Sequence, residues 1–259
     1  MQKSQLKLAF RFGAACLFAL GSLVLSGCNS LPEEELYPVD VKLETIEKNM
    51  QKALDPEGRY VKAKSYFQRQ ISVTERGFAE DPEEMLTDVW FVEPDKLKMV
   101  SNIDNKPVSG IVINGKNGWQ CDYANKRNNK LDEDQMKQVK NLILIANPES
   151  SLSSVFDEIS ISGCIMGDED YYRLSCKIND ENPNIPLFYI YIDKEDYLIK
   201  AYRVGESVSK IVRYGMHEGV KIPVEIATES QGVKTKVTVV DYQLDVTIPL
   251  TEFYPPIYR

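Results

Sequence analysis

The side chains best suited to nucleophilic, redox or metal chemistry in this 259-residue chain are five cysteines and one histidine. The histidine, His217, lies in the turn-like run Tyr214-Gly215-Met216-His217-Glu218-Gly219. With no second histidine, a Ser-His or Cys-His pair could be built only around this position. No nucleophile motif points to it, since GxSxG, P-loop, paired CxxC and HExxH patterns are all missing from the sequence. His217 is therefore expected to face solvent in a loop, and neither a metal site nor a cofactor is expected. The carboxylates Asp168 and Asp170 share a predicted turn, where charged residues normally face water. These patterns speak against an enzyme. Cys164 and Cys176 lie six residues either side of Asp170, so a hairpin centred there would set them opposite each other. Such a pair is read as a disulfide, which needs Cα atoms about 4.4–6.8 Å apart, or as two buried thiols. Cys121 is read as a buried free thiol. Cys28 stands apart, at the end of the apolar run Phe12 to Leu25, which follows Lys3, Lys7 and Arg11 with no acidic residue before it.

The run Leu25-Ser26-Gly27-Cys28 resembles the lipobox of bacterial lipoprotein signal peptides. The resemblance implies that residues 1–27 are a signal peptide removed with Cys16, and that Cys28 becomes an acylated amino terminus and a membrane anchor. The leader's physics agrees. Fourteen helical residues rise about 21 Å, short of the roughly 30 Å of a hydrocarbon core. A removable peptide fits better than a permanent span. The alternatives are an uncleaved anchor and an ordinary secretory peptide with an incidental cysteine. Two acyl chains would supply the two signals stable anchoring needs. Asn29 stands where inner-membrane retention commonly uses aspartate, so outer-membrane or surface placement in the cell envelope is expected.

Charge narrows the partners. Removing residues 1–27 takes three of the 31 basic residues and none of the 39 acidic ones, moving the net charge from −8 to −11. That balance opposes nucleic-acid binding, which relies on clustered Lys and Arg, and opposes electrostatic adsorption to anionic lipid. Contact with the membrane is then expected through the acyl anchor.

The elements that would position these groups are legible from periodicity. Residues 28–38 are polar and proline-bounded and read as a lipid-anchored tether; residues 39–259 read as one domain. From Asp40 to Leu54, apolar residues at Leu43, Ile46, Met50, Ala53 and Leu54 have helical spacing, and Pro56 and Gly58 end the run. Strand composition follows over Tyr60–Thr74, Thr87–Glu93, Leu97–Val100, Val108–Ile113 and Trp119–Tyr123, with Asn114-Gly115 as a hairpin signal. Asp132 to Ala146 switches to helical period, and its Leu142 and Ile145 are candidates for a lid. Strand-like runs then recur over 158–166, 171–178, 187–193, 197–204, 208–214, 220–229 and 233–246. Together these predict an α+β, mainly antiparallel fold: an unclosed curled β-barrel of about 10–12 strands with a helical lid or plug. Such a container can enclose an apolar cavity.

The segments Trp90-Phe91-Val92-Glu93-Pro94-Asp95-Lys96-Leu97-Lys98-Met99 and Ile113-Asn114-Gly115-Lys116, followed by Trp119, resemble the signature of LolA/LolB-type outer-membrane lipoprotein-sorting proteins. The closing segments are similar to a broad branch of the same superfamily: Tyr191 to Lys194, Gly219 to Pro223 and Leu244 to Pro256. The resemblance implies a half-barrel around a cavity that takes acyl chains of lipid or lipoproteins. Two departures stand out. Lys98 occupies the strand where soluble carriers have arginine, and a lipobox is present where those carriers lack one, which argues against free shuttling. Trp90, Val92, Leu97, Met99, Ile111, Ile113, Trp119, Leu142 and Ile145 are the cavity candidates, although each also suits an ordinary core position. Alternation sends only one face of each strand inward and leaves open which. The expected function is an anchored, non-enzymatic module that binds lipid or lipoprotein acyl chains. The alternative is a structural or assembly lipoprotein that uses the same fold as a protein-binding platform.

Overall fold

The computed structural model describes residues 33–75, 81–133, 135–136, 151–177 and 187–258. The first helix, α1 (Leu43–Leu54), buries Ile46 and Met50 and ends at the turn containing Pro56 and Gly58. A single helical turn, α2 (Arg59–Lys62), follows. Asp55, 4% exposed, caps it, its two carboxylate oxygens accepting from the Arg59 and Tyr60 amides at 2.8 Å each. A buried carboxylate is tolerated there because the N–H groups opening a helical turn have no other partners.

Among the described residues, fourteen strands form one antiparallel sheet. They are β1 (Glu34–Tyr37), β2 (Ser65–Glu75), β3 (Glu83–Val92), β4 (Lys96–Ile103), β5 (Lys106–Asn114), β6 (Asn117–Asp122), β7 (Arg127–Lys130), β8 (Glu158–Met166), β9 (Glu169–Lys177), β10 (Phe188–Asp193), β11 (Ile199–Val204), β12 (Ser207–His217), β13 (Val220–Ser230) and β14 (Val233–Leu244). Their order is β1-β8-β9-β10-β11-β12-β13-β14-β2-β3-β4-β5-β6-β7, so among the described strands β1 and β7 are the edges and the sheet is not closed. Two meanders, β2–β7 and β8–β14, meet where β14 pairs with β2. Tight turns drive the meanders. Asp104-Asn105, Glu218-Gly219 and Gln231-Gly232 all have positive φ at both central residues, the geometry whose twist matches that of flanking strands. Register shifts within β4, β12 and β14 add local bends that help an open sheet curl. The short helix α3 (Leu152–Val155), with Ser151 accepting from the Ser154 amide, precedes β8.

Several expectations change. Glu34–Tyr37, read as tether, is the edge strand β1, registered on β8 from Glu34↔Met166 to Tyr37↔Gly163. His217, read as a loop residue, is the last residue of β12, half-buried with its ring edge-on to Tyr242. Cys164 and Cys176 are not opposed. The β8–β9 hairpin turns at Gly167-Asp168, not at Asp170, so Cys164 faces Tyr171 and Cys176 faces Ile159. Both are free buried thiols, as is Cys121. Of the expected helix Asp132–Ala146, the start is described: the Asp132 amide donates to Gln135 and the Gln135 amide donates back to the Asp132 carboxylate, a capping box. Its remainder, with Leu142 and Ile145, lies outside the described residues.

Candidate functional site

The inner face of the curled sheet carries two apolar clusters. The first spans β13, β14, β2, β3, β4 and β5 through residues such as Ile222, Val237, Tyr66, Phe91, Leu97 and Ile111. The second lies on β9–β11 against Ile46 and Met50 of α1, and Ile211 of β12 touches both. Strand alternation builds the first cluster row by row. Phe91 pairs with Leu97 and Leu97 with Ile113; one step along, Val89 pairs with Met99 and Met99 with Ile111. Met99, Ile113, Val89 and Phe91 have no exposed surface. Tyr66 stacks between Phe91 and Tyr242, with ring centroids 5.3 and 5.9 Å away. Met136, at the start of the capped segment, packs on the same cluster.

Four of the predicted cavity residues, Leu97, Met99, Ile111 and Ile113, therefore share the inner face. Trp90, Val92 and Trp119 do not. Trp90 pairs with Lys98 and Val92 with Lys96, while Val112 pairs with both Lys98 and Trp119, which places all three on the opposite face. Their choice rests on aromatic or aliphatic residue type, but a neighbour in sequence lies on the other side of a strand. Phe91 and Val89 are the inner residues that choice passed over. The outer face over β4 and β5 is covered by the carboxyl-terminal 3₁₀ turn Leu250–Phe253. There Lys98 lies 5.0 Å from the Trp90 ring centroid and 2.5 Å from Glu252.

Further along the strands the inner face turns polar. Gln70 of β2 pairs with Thr87 of β3, Thr87 with Ser101 of β4, and Ser101 with Ser109 of β5. A second row runs Thr74, Thr235, Thr228 and Ser209 across β2, β14, β13 and β12. Hydroxyls pair within these rows, Thr87 with Ser101 at 3.3 Å, Thr74 with Thr235 at 3.1 Å and Ser209 with Thr228 at 2.8 Å. Gln68 donates to the Gln70 carbonyl oxygen at 2.8 Å. Sequence reasoning missed this band because amides and hydroxyls on a strand read as its wet side.

The outer face of β8–β11 holds a charged cluster around Glu34 of β1. Its carboxylate accepts from Arg173 at 2.7 Å, Arg203 at 2.9 Å and the Tyr191 hydroxyl at 2.9 Å. Both guanidiniums lie over the Tyr189 ring, at 4.6 and 4.5 Å. Three residues on, and on the opposite face of the strand, Tyr37 donates to Asp170 and accepts from Lys194, whose ammonium also reaches Asp170 at 3.1 Å. Burial alone pushes the Asp170 carboxyl up, but Tyr37 and Lys194 together hold it below its ordinary value. The thiols are tuned the other way. Burial pushes Cys121 up to about 11 and Cys176 up to about 12, which leaves neither a usable thiolate near neutrality.

No protein-family model matches the sequence, and no curated protein matches it significantly. Similarity appears in the fold. A LolA superfamily protein from Nitrosomonas europaea superposes with a TM-score of 0.59 at 13% identity, over 83% of this chain and 98% of that one. A DUF1329 family protein from Desulfovibrio piger gives 0.57 at 12% identity, over 82% and 97%. A domain assigned to outer-membrane lipoprotein sorting in Vibrio parahaemolyticus gives 0.54 at 12% identity, over 82% and 95%. With an unclosed antiparallel sheet curled over an apolar inner face, the protein has a LolA-like fold.

Proposed function

We infer that this protein is a lipoprotein of the bacterial envelope, anchored through Cys28, whose inner sheet face binds the acyl chains of a lipid or lipoprotein. The observation that carries this reading is the continuous apolar inner face built by β13, β14, β2, β3, β4 and β5. The part of the inner surface built of aliphatic and aromatic side chains, with Lys98 and Glu252 on the outer face behind it, suits a hydrocarbon ligand whose gain comes from leaving water. The LolA-like fold supports it, since one of the similar structures is assigned to lipoprotein sorting. The role is binding rather than catalysis. A fixed anchor suits an acceptor or holding module at the outer membrane better than a carrier that crosses the periplasm.

In-cell photocrosslinking of the full-length protein tests the reading. A photoreactive amino acid replacing Met99, on the inner face, is expected to yield an acyl-bearing adduct by mass spectrometry. The same residue replacing Trp90, on the outer face, is expected to yield none. Equal yields at both positions, or none at Met99, would overturn it. Metabolic labelling with an alkyne palmitate should mark the wild type and not Cys28→Ala.

A further inference from the structure

The inner face of β2 breaks the ordinary binary pattern of a strand. Tyr66, Gln68, Gln70, Ser72 and Thr74 are buried on that face, while Phe67, Ile71 and Val73 are half-buried on the other. A sequence that folds well normally places its apolar set inward, and departures from that rule concentrate at functional sites. Gln70 is the strongest departure. It is 0% exposed, its side-chain carbonyl oxygen is taken by Gln68, and its amide nitrogen has no partner among the described residues. A buried donor left unpaired is costly, and native proteins seldom keep one without a reason.

We propose that the Gln70–Thr87–Ser101 row is a head-group subsite, taking the uncharged carbonyl of an ester- or amide-linked acyl ligand. This rests on the acyl-binding reading and specifies which end of the ligand sits where. The missing partner must be an acceptor, because the vacancy is at an N–H donor. It must also be neutral. Gln70, Thr87, Ser101 and the flanking Gln68 carry no charge, so a carboxylate or phosphate would lose its water without a counter-charge. The charged pair on the same strands, Arg69 with Asp88 at 2.6 and 2.9 Å, lies on the opposite face and satisfies itself. The geometry continues into the hydrocarbon site. From the Gln70 row the next inward rows are Gln68–Val89–Met99–Ile111 and then Tyr66–Phe91–Leu97–Ile113. Four residues of strand separate Gln70 from Tyr66, about 13 Å at 3.3 Å per residue, along which a chain attached to the carbonyl would lie.

The test compares two photoactivatable probes with the same diazirine-bearing chain, a monoacylglycerol and the free fatty acid, offered to membranes containing the full-length protein. Wild type is expected to capture the ester at least fivefold better than the acid. Gln70→Met should cut ester capture at least fivefold with acid capture unchanged, and Thr87→Val should cut it by a smaller factor. Urea unfolding checks that each variant folds, and where Gln70→Met does not, Thr87→Val decides. Undiminished ester capture in the folded variants overturns the subsite and leaves acyl binding standing. Equal capture of acid and ester by wild type overturns the neutral class of head group. Capture of neither probe overturns acyl binding and the subsite with it.

Discussion

Cys164 and Cys176 show how two identical side chains in one hairpin come to have unrelated surroundings. Cys164 packs on the outer face with Met166, Tyr171 and Tyr191, and Cys176 on the inner face with Leu174 and Phe188. With their thiols buried and protonated, Cys121, Cys164 and Cys176 should resist maleimide in the folded protein, and all three should react once urea exposes them. Identical mobility with and without reductant is expected, and a reductant-dependent shift would contradict the register. Asp170 gives a pH signature. Its carboxyl is held below its unfolded value, so its contribution is present above about pH 4 and disappears as pH falls through the folded value. Half of its side-chain surface is exposed, so Asp170→Asn should cost under about 1 kcal/mol at neutral pH. Urea midpoints should show that deficit at pH 7 and lose it progressively as the pH falls below about 4. A deficit that persists in acid would mean Asp170 acts through packing rather than charge.

Among the elements, β1 is short and polar, and side-chain hydrogen bonds tie it to its neighbours. Glu-Glu-Leu-Tyr is too short and polar to announce a strand, and Leu36 is half exposed. It is held by Glu34, whose carboxylate faces two guanidiniums and a buried tyrosine hydroxyl. Glu34→Ala would leave Arg173, 14% exposed, and Arg203, 28% exposed, without their shared carboxylate. Breaking such a cluster should cost about 2–4 kcal/mol, somewhat below the figure for a fully buried pair. The neighbouring Glu35→Ala, at an exposed position, should stay within about 0.5 kcal/mol. Urea titration of the two variants decides, and equal effects would remove Glu34 from this role. The strand also shortens the leash. Six residues separate Cys28 from Glu34, a span of at most about 20 Å, so an acylated Cys28 would hold this sheet edge close to the bilayer. The elements legible in sequence were those with strong periodicity: α1, the long strands and the Asn114-Gly115 turn. The edge strands β1 and β7, the latter Arg-Asn-Asn-Lys, were not, because strands that bury no side of their own carry no alternation. The same logic hid the site. Trp90 and Trp119 advertise themselves by size, whereas the inward set of β2 looks like a wet surface, and only pairing with β3 and β14 shows which way it points.

At the scale of the whole molecule, the two meanders are separate in sequence and joined at one seam. Each can form its hairpins locally, but the inner face becomes continuous only when β14 adds to β13 and β2 together. The β14–β2 register runs from Lys234↔Glu75 to Leu244↔Tyr66, pairing segments at nearly opposite ends of the domain. Contacts between such distant segments slow folding, because the loop must close before the pairing rewards it. Synthesis proceeds from the amino terminus, so β14 arrives after every other strand of the sheet. Until then β2 and β13 each present an unpaired edge beside an uncovered apolar surface, the combination that invites aggregation. The placement of one late strand at the centre of the sheet thus makes completion of the container an all-or-none event that waits for the last strand, and gives the unfinished chain reason to need a chaperone's cover until then.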